Sequence, residues 1–234
     1  MPLRAVRAIC FDLDNTLWDV EPVLARAERI LSDWLEGRYP KIPERYPAAK
    51  LFELRQSLLV EHPQRAHDFT FLRRESLARA AHDCGYERGV AQSIAHDAFA
   101  VWHAARNELE PFPDVVPALD ALKLRFRLAT LSNGNADLAR IGLAHHFEVS
   151  LHAAALGCAK PDARAYKQLA GALALNPAEI LFVGDEPHAD IVGPHNVGMQ
   201  TVWVCRGAQE WPASLPAADA RVASLDELVS ILEA

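Results

Sequence analysis

Two aspartates, Asp12 and Asp14, stand two residues apart where an apolar run near the N-terminus stops abruptly after Phe11. Side chains alternate along a strand, so residues two apart face the same way while the chain stays extended. Both carboxylates can then address one metal ion or one reacting group, which is an enzyme's arrangement. Three more polar clusters occur. Leu128 to Leu131 runs into Ser132-Asn133-Gly134-Asn135, Lys160-Pro161 follows Cys158-Ala159, and Ile180 to Val183 leads into Gly184-Asp185 with Asp190 close behind. Each has a plain structural alternative: Ser132-Asn133-Gly134 as a turn, Lys160 as a solvated side chain at a helix start, Asp185 or Asp190 as a helix cap. It is the joint occurrence with the Asp12/Asp14 pair that argues for a site.

The elements that would position these residues follow from periodicity. Ala5 to Phe11 reads as a buried strand, and in open parallel α/β sheets ligands gather beyond the carboxyl ends of such strands. From Arg127 onward, strand-like and helix-like segments alternate: Leu128–Leu131, Ala136–Leu143, Phe147–Leu151, Asp162–Leu173, Ile180–Val183, Ala189–Asn196 and Thr201–Val204. That alternation predicts a parallel sheet of about five strands covered by helices. Between Trp18 and Pro111 the pattern is helical instead, over Val23–Leu35, Ala49–Leu59, Phe71–Ala81 and Val90–Ala105. Pro40, Pro43 and Pro47 mark one loop, and Glu61-His62-Pro63 ends a helix. Glu110 to Asp114 is a stiff linker into a helix at Val115–Leu124, Gly207–Pro216 is a loop, and Ser224–Leu232 closes as a helix with Ser224 and Glu227 forming a capping box.

With 234 residues, half of them apolar, the chain suffices for a core domain plus a smaller one. A formal charge of −7 argues against a general binder of nucleic acid or anionic membrane. Cys10, Cys84, Cys158 and Cys205 lack zinc-site spacing and read as reduced thiols, and the ten histidines are scattered. The short apolar run before Asp12 suits neither a signal peptide nor a membrane span, so the expected location is cytoplasmic.

Taken in order, Asp12-Leu13-Asp14-Asn15-Thr16, Ser132-Asn133, Lys160-Pro161 and Gly184-Asp185 with Asp190 resemble the four motifs of the haloacid dehalogenase superfamily. Asn15 stands where many relatives have Gly, and Asn tolerates unusual backbone angles better than most residues. The resemblance implies an α/β fold: a Rossmann-like parallel-sheet core of residues 1–18 and 111–234 with an inserted all-α cap of residues 19–110. It implies phosphomonoester hydrolysis with Mg²⁺ held by Asp12, the Asp14 carbonyl and Asp185. Asp12 would be the nucleophile and Asp14 the acid and base. Ser132 and Asn133 would bind the phosphoryl oxygens beside a turn oriented by Thr16, Lys160 would supply positive charge, and Asp190 would hold Lys160 or a metal-bound water. Relatives that expel halide lack the second aspartate, so Asp14 favours phosphate esters.

Phe11 to Val20, Ser132 to Asp137 and the region around Arg73-Arg74 also resemble bacterial phosphatases acting on flavin mononucleotide and on a phosphorylated ribityl-pyrimidine. This implies a small-molecule phosphomonoester as partner, with Arg73 or Arg74 at the substrate and Trp18, Phe69, Phe71 or Trp102 as a surface for its ring; the plain alternatives are a solvated helix face for the arginines and ordinary packing for the aromatics. The expected assembly is a monomer or homodimer, without nucleic acid or membrane. The rival functions are a phosphomutase, a 2-haloacid dehalogenase, and a catalytically silent binding protein on the same core.

Overall fold

A computed structural model describes residues 6–233. They form two compact units, one from the segment ending at Asp19 with everything from Glu110 onward, the other Val20–Leu109. The first unit opens with β1 (Ala8–Phe11), all four residues of which are buried. The sequence expectation began this strand at Ala5, which lies outside the described residues.

The second unit is helical: α1 (Val20–Arg38), α2 (Lys41–Arg45), α3 (Ala48–Glu61), α4 (Phe69–Asp83) and α5 (Arg88–Arg106). Its core forms because buried positions recur every three or four residues: Val20, Val23, Ala27, Leu31 and Leu35 on α1, and Ala91, Ile94, Ala95, Ala98, Trp102 and Ala105 on α5. The alanines on α5 let its neighbours approach closely around Leu77, Ala80 and Ala81. Helix α2 occupies the segment read from its prolines as a loop. Pro40 sits at its N-cap and Pro43 in its first turn, where a missing N–H costs no helical bond.

The first unit continues with α6 (Val115–Leu122), β2 (Arg127–Ser132), α7 (Leu138–Ile141), β3 (Val149–His152), α8 (Ala153–Leu156), α9 (Ala163–Leu173), β4 (Ile180–Gly184), α10 (Gly193–His195), β5 (Gln200–Val204), β6 (Ala220–Val222) and α11 (Leu225–Glu233). A π-helical turn, Pro187–Val192, precedes α10. All six strands are parallel in the order β3-β2-β1-β4-β5-β6. The sixth, β6, adds to the five expected. Its three residues are too few for periodicity to reveal, and its amide and carbonyl partners come from β5.

Alternation divides the central strands between two layers. Ala8 and Cys10 meet Tyr166, Leu169 and Phe182 on the α9 side, while Phe11 points the other way onto the Phe147 ring. Strand order reverses between β1 and β4, so the crevice beyond their carboxyl ends is the natural ligand position. Among the described residues, no helix is long and apolar enough to cross a membrane. At α11, Ser224 accepts the Glu227 amide as expected, but the Glu227 carboxylate reaches the Ala223 amide and not that of the cap residue.

One long-range tie braces the first unit. Asp114 accepts from the Arg206 guanidinium (3.0 Å) and from the Leu225 amide (2.6 Å) at the start of α11, while Arg206 also donates to the Thr16 carbonyl (3.0 Å) and lies over the Phe112 ring. Partial burial would raise the Asp114 carboxyl, but Arg206 and the amide outweigh it and hold it below the usual range. A depressed carboxyl contributes stability above its unfolded value, near 4, and loses it as pH falls through the folded value. The stability gap between the wild type and Asp114→Asn should therefore be constant above about pH 5 and shrink on further acidification. Urea melts at several pH values measure it.

Candidate active site

Register brings the motif residues together. Phe11 on β1 pairs with Val183 on β4, so Asp12 emerges next to Gly184 and Asp185 across the strand reversal, and its amide is held by the Val183 carbonyl (2.9 Å). Beyond Asp12 the chain leaves the sheet and folds back. The Leu13 carbonyl accepts from Leu17, Asn15 takes a left-handed conformation (φ 62°), and its amide donates to Trp18. This is the conformation for which Asn is, after Gly, the well-suited residue.

Lys160 is the hub. Its ammonium donates to Asp12 Oδ1 (2.5 Å) and Asp190 Oδ1 (2.7 Å), with all three groups buried. Burial alone would strip its proton, but the two carboxylates outweigh that and hold it above the ordinary lysine range. Its backbone is fixed by Asn133, whose side chain donates to the Lys160 carbonyl (2.9 Å) and accepts from its amide (2.8 Å). The Asn133 side chain thus positions the lysine, a role its place beside Ser132 did not reveal. Ser132 is buried at the end of β2, and its oxygen accepts from the Gly134 amide (3.0 Å), leaving the hydroxyl proton to be donated to an anion.

Asp185 is held by Thr16, whose fully buried hydroxyl donates to Oδ1 (3.1 Å), and its carbonyl accepts the Trp203 indole N–H (2.8 Å). Thr16 was expected to orient the Asp12–Asp14 turn; its side chain acts on Asp185. Asp190 is buried in the π-helical turn, with Oδ2 accepting from the Glu186 amide (3.0 Å). Its approach depends on Gly184: a Cβ there would lie 2.4 Å from the Asp190 carboxyl carbon. Gly184→Ala should therefore displace Asp190 and destabilise the fold by about 1–3 kcal/mol, readable as an earlier midpoint in urea.

Carboxylate oxygens of Asp12, Asp185 and Asp190 lie within 4.8 Å of one another. Asp190 has both oxygens engaged, so Asp12 and Asp185 are the better placed to share a cation. Three carboxylates against one ammonium leave negative charge uncompensated. Burial, and then the charge of Asp190, push Asp185 up to about 6, and burial lifts Asp12 well above its usual range despite Lys160. All-oxygen donors with surplus negative charge fit a hard divalent cation.

The Asp14 carboxylate is not in this cluster; its Oδ1 accepts the Trp18 indole N–H (2.8 Å). Strand alternation does not carry from Asp12 to Asp14, because the strand ends at Phe11 and the chain turns between them. In the helical unit, Arg73 is committed to Glu28 (2.7 Å) and stacks on Trp102, whereas Arg74 is exposed. Trp18 and Trp102 are buried, so neither offers a face for a ring; Phe71 lies beneath Arg65, and Phe69 is half exposed.

Residues 6–198 match the family of haloacid dehalogenase-like hydrolases. The chain is 33% identical over 206 residues to the 5-amino-6-(5-phospho-D-ribitylamino)uracil phosphatase YigB of Escherichia coli, covering 87% of this chain and 85% of that one. It is 30% identical over 210 residues to the (S)-2-haloacid dehalogenase of Xanthobacter autotrophicus, covering 88% and 77%. A solved structure described as the 2-haloacid dehalogenase of Pseudomonas syringae pv. Tomato DC3000 superposes with a TM-score of 0.93 at 36% identity, over 97% of this chain and 98% of that one.

Proposed function

Because this chain belongs to the haloacid dehalogenase-like hydrolases, we propose that it hydrolyses a small phosphate monoester through a phosphoryl group carried on Asp12. The observation that supports this most is the charge arrangement: a buried lysine holding Asp12, with Asp185 alongside and negative charge left over. Mg²⁺, held by Asp12, Asp185 and the Asp14 carbonyl, supplies the charge that lets a carboxylate meet a phosphate.

Asp12 attacks phosphorus through a carboxylate oxygen and the ester P–O bond breaks. Asp14 gives its proton to the departing alkoxide. Water then attacks phosphorus on the acyl phosphate, giving its proton to Asp14, and Asp12 and inorganic phosphate are released. Lys160 offsets charge on the nucleophile and the incoming phosphate, while the Ser132 hydroxyl and Asn133 amide donate to the phosphoryl oxygens. We assign recognition of the leaving portion to the helical unit as a cap, with Arg73 or Arg74 as its cationic group. The YigB relative supports a ribityl phosphate as substrate, and flavin mononucleotide, which carries the same ribityl phosphate, is the further candidate.

The dehalogenase neighbours favour a second reading, in which Asp12 displaces halide from a 2-haloacid. Halide leaves without a proton, so that chemistry gives Asp14 no work. A panel of phosphomonoesters, including flavin mononucleotide, run beside 2-chloropropionate with and without Mg²⁺ separates the two. Metal-dependent phosphate release is expected; chloride release without phosphate release would reverse the assignment.

A further inference from the structure

At the edge of the helical unit's core, two arginines share a single acid. Four helices each contribute one residue to a single cluster: Glu28 from α1, Arg55 from α3, Arg73 from α4 and Trp102 from α5. Glu28 is the one acid in it. Its carboxylate takes the Arg73 guanidinium at 2.7 Å and stands 3.9 Å from that of Arg55, so two cations share one negative charge. The Arg73 side chain is only 11% exposed and Trp102 only 4%. Burial is expensive for an uncompensated charge, and a fold that needed only packing here would use apolar side chains instead.

Two N–H groups in the cluster are buried without an acceptor: Arg73 Nη1 and Trp102 Nε1. They are neighbours, since the Arg73 guanidinium carbon lies 3.7 Å from the centre of the Trp102 ring. Burial and the adjacent Arg73 pull the Arg55 guanidinium down to about 10, against the opposing influence of Glu28, as expected for a cation lacking its share of counter-charge. A ligand bound to these donors must bring negative charge and accept from flat, fixed N–H groups, which is what a carboxylate or phosphate does with a guanidinium.

We propose that the helical unit carries a binding site for an anionic oxygen group, carboxylate or phosphate, formed by Arg73, Arg55 and Trp102 around Glu28. The leaving portion of a ribityl phosphate is uncharged, so this site does not rest on that substrate assignment, and anion binding itself requires no catalysis.

The probes are sodium acetate and inorganic phosphate, titrated separately at constant ionic strength into the Mg²⁺-loaded full chain. The readout is the Trp102 indole N–H resonance, assigned through Trp102→Phe. At least one anion should shift it saturably, acetate the more tightly if the group is a carboxylate and phosphate if it is a second phosphate. Arg73→Met should weaken that binding at least tenfold. Glu28→Gln, which removes the competing carboxylate, should tighten it several-fold, a gain that misfolding would not produce. The Asp12→Asn variant should retain the shift, so loss of catalysis and loss of this site are separable. No saturable shift with either anion, or unchanged affinity in both Arg73→Met and Glu28→Gln, would overturn the site.

Discussion

Replacing Asp12 by asparagine should lower kcat by roughly ten-thousand-fold or more while the chain stays folded, because a catalytic nucleophile has no partial substitute. The amide keeps the volume of the carboxylate and an oxygen for Lys160, but it is a far weaker nucleophile and a weaker cation ligand. Stability argues the same way. Burial and the neighbouring acids make the ionised form of Asp12 costly in the folded state, so a neutral side chain relieves repulsion with Asp185 and Asp190. The variant should melt at or above the wild-type temperature in the absence of metal. Steady-state phosphate release beside a thermal melt measures both effects, and a variant that is inactive because it has unfolded would not count in favour of the nucleophile.

Lys160→Ala should cost activity and stability together. Removing one partner from a buried ionic network leaves the others uncompensated, a loss of about 3–5 kcal/mol, here with Asp12 and Asp190 facing each other across an empty position. Turnover should fall roughly a thousand-fold, since the ammonium is the chain's own positive charge beside the reacting phosphate. Asp12→Asn sparing the fold and Lys160→Ala damaging it is a pattern set by charge: one change relieves a negative surplus and the other enlarges it. Urea denaturation of both variants beside the wild type reads the contrast directly.

Much of this site was legible in the sequence because three of its four motifs sit where an apolar run ends. A buried parallel strand needs uninterrupted apolar residues, so a polar residue at its end marks the carboxyl edge of the sheet, and β1, β2 and β4 could be placed that way. The ties between motifs could not. Thr16 reaches Asp185 across 169 positions, Asn133 clamps Lys160 across 27, and Arg206 braces the Thr16 turn across 190. Each uses one side-chain or backbone polar group with no local periodicity to announce it. Gly184 carried a signal in principle, as a glycine directly before an acid at a strand end, but the clash it avoids is with a residue six positions on. The short helix α2 was hidden by prolines that usually mark loops, and β6 by its length. The burial of Arg73 beside Trp102 inverted a surface expectation, because amphipathic helices ordinarily turn paired arginines outward and here one of two faces the interior.

The claim that organises all of this is that Asp12 carries the phosphoryl group between substrate and water. Mixing the Mg²⁺-loaded enzyme with its best phosphomonoester, quenching in acid within a single turnover and weighing the peptide that contains Asp12 tests it most directly. The peptide should be heavier by one phosphoryl group, lost on treatment with hydroxylamine and absent from Asp12→Asn. Turnover that proceeds at full rate while this peptide stays unmodified at every quench time would contradict it.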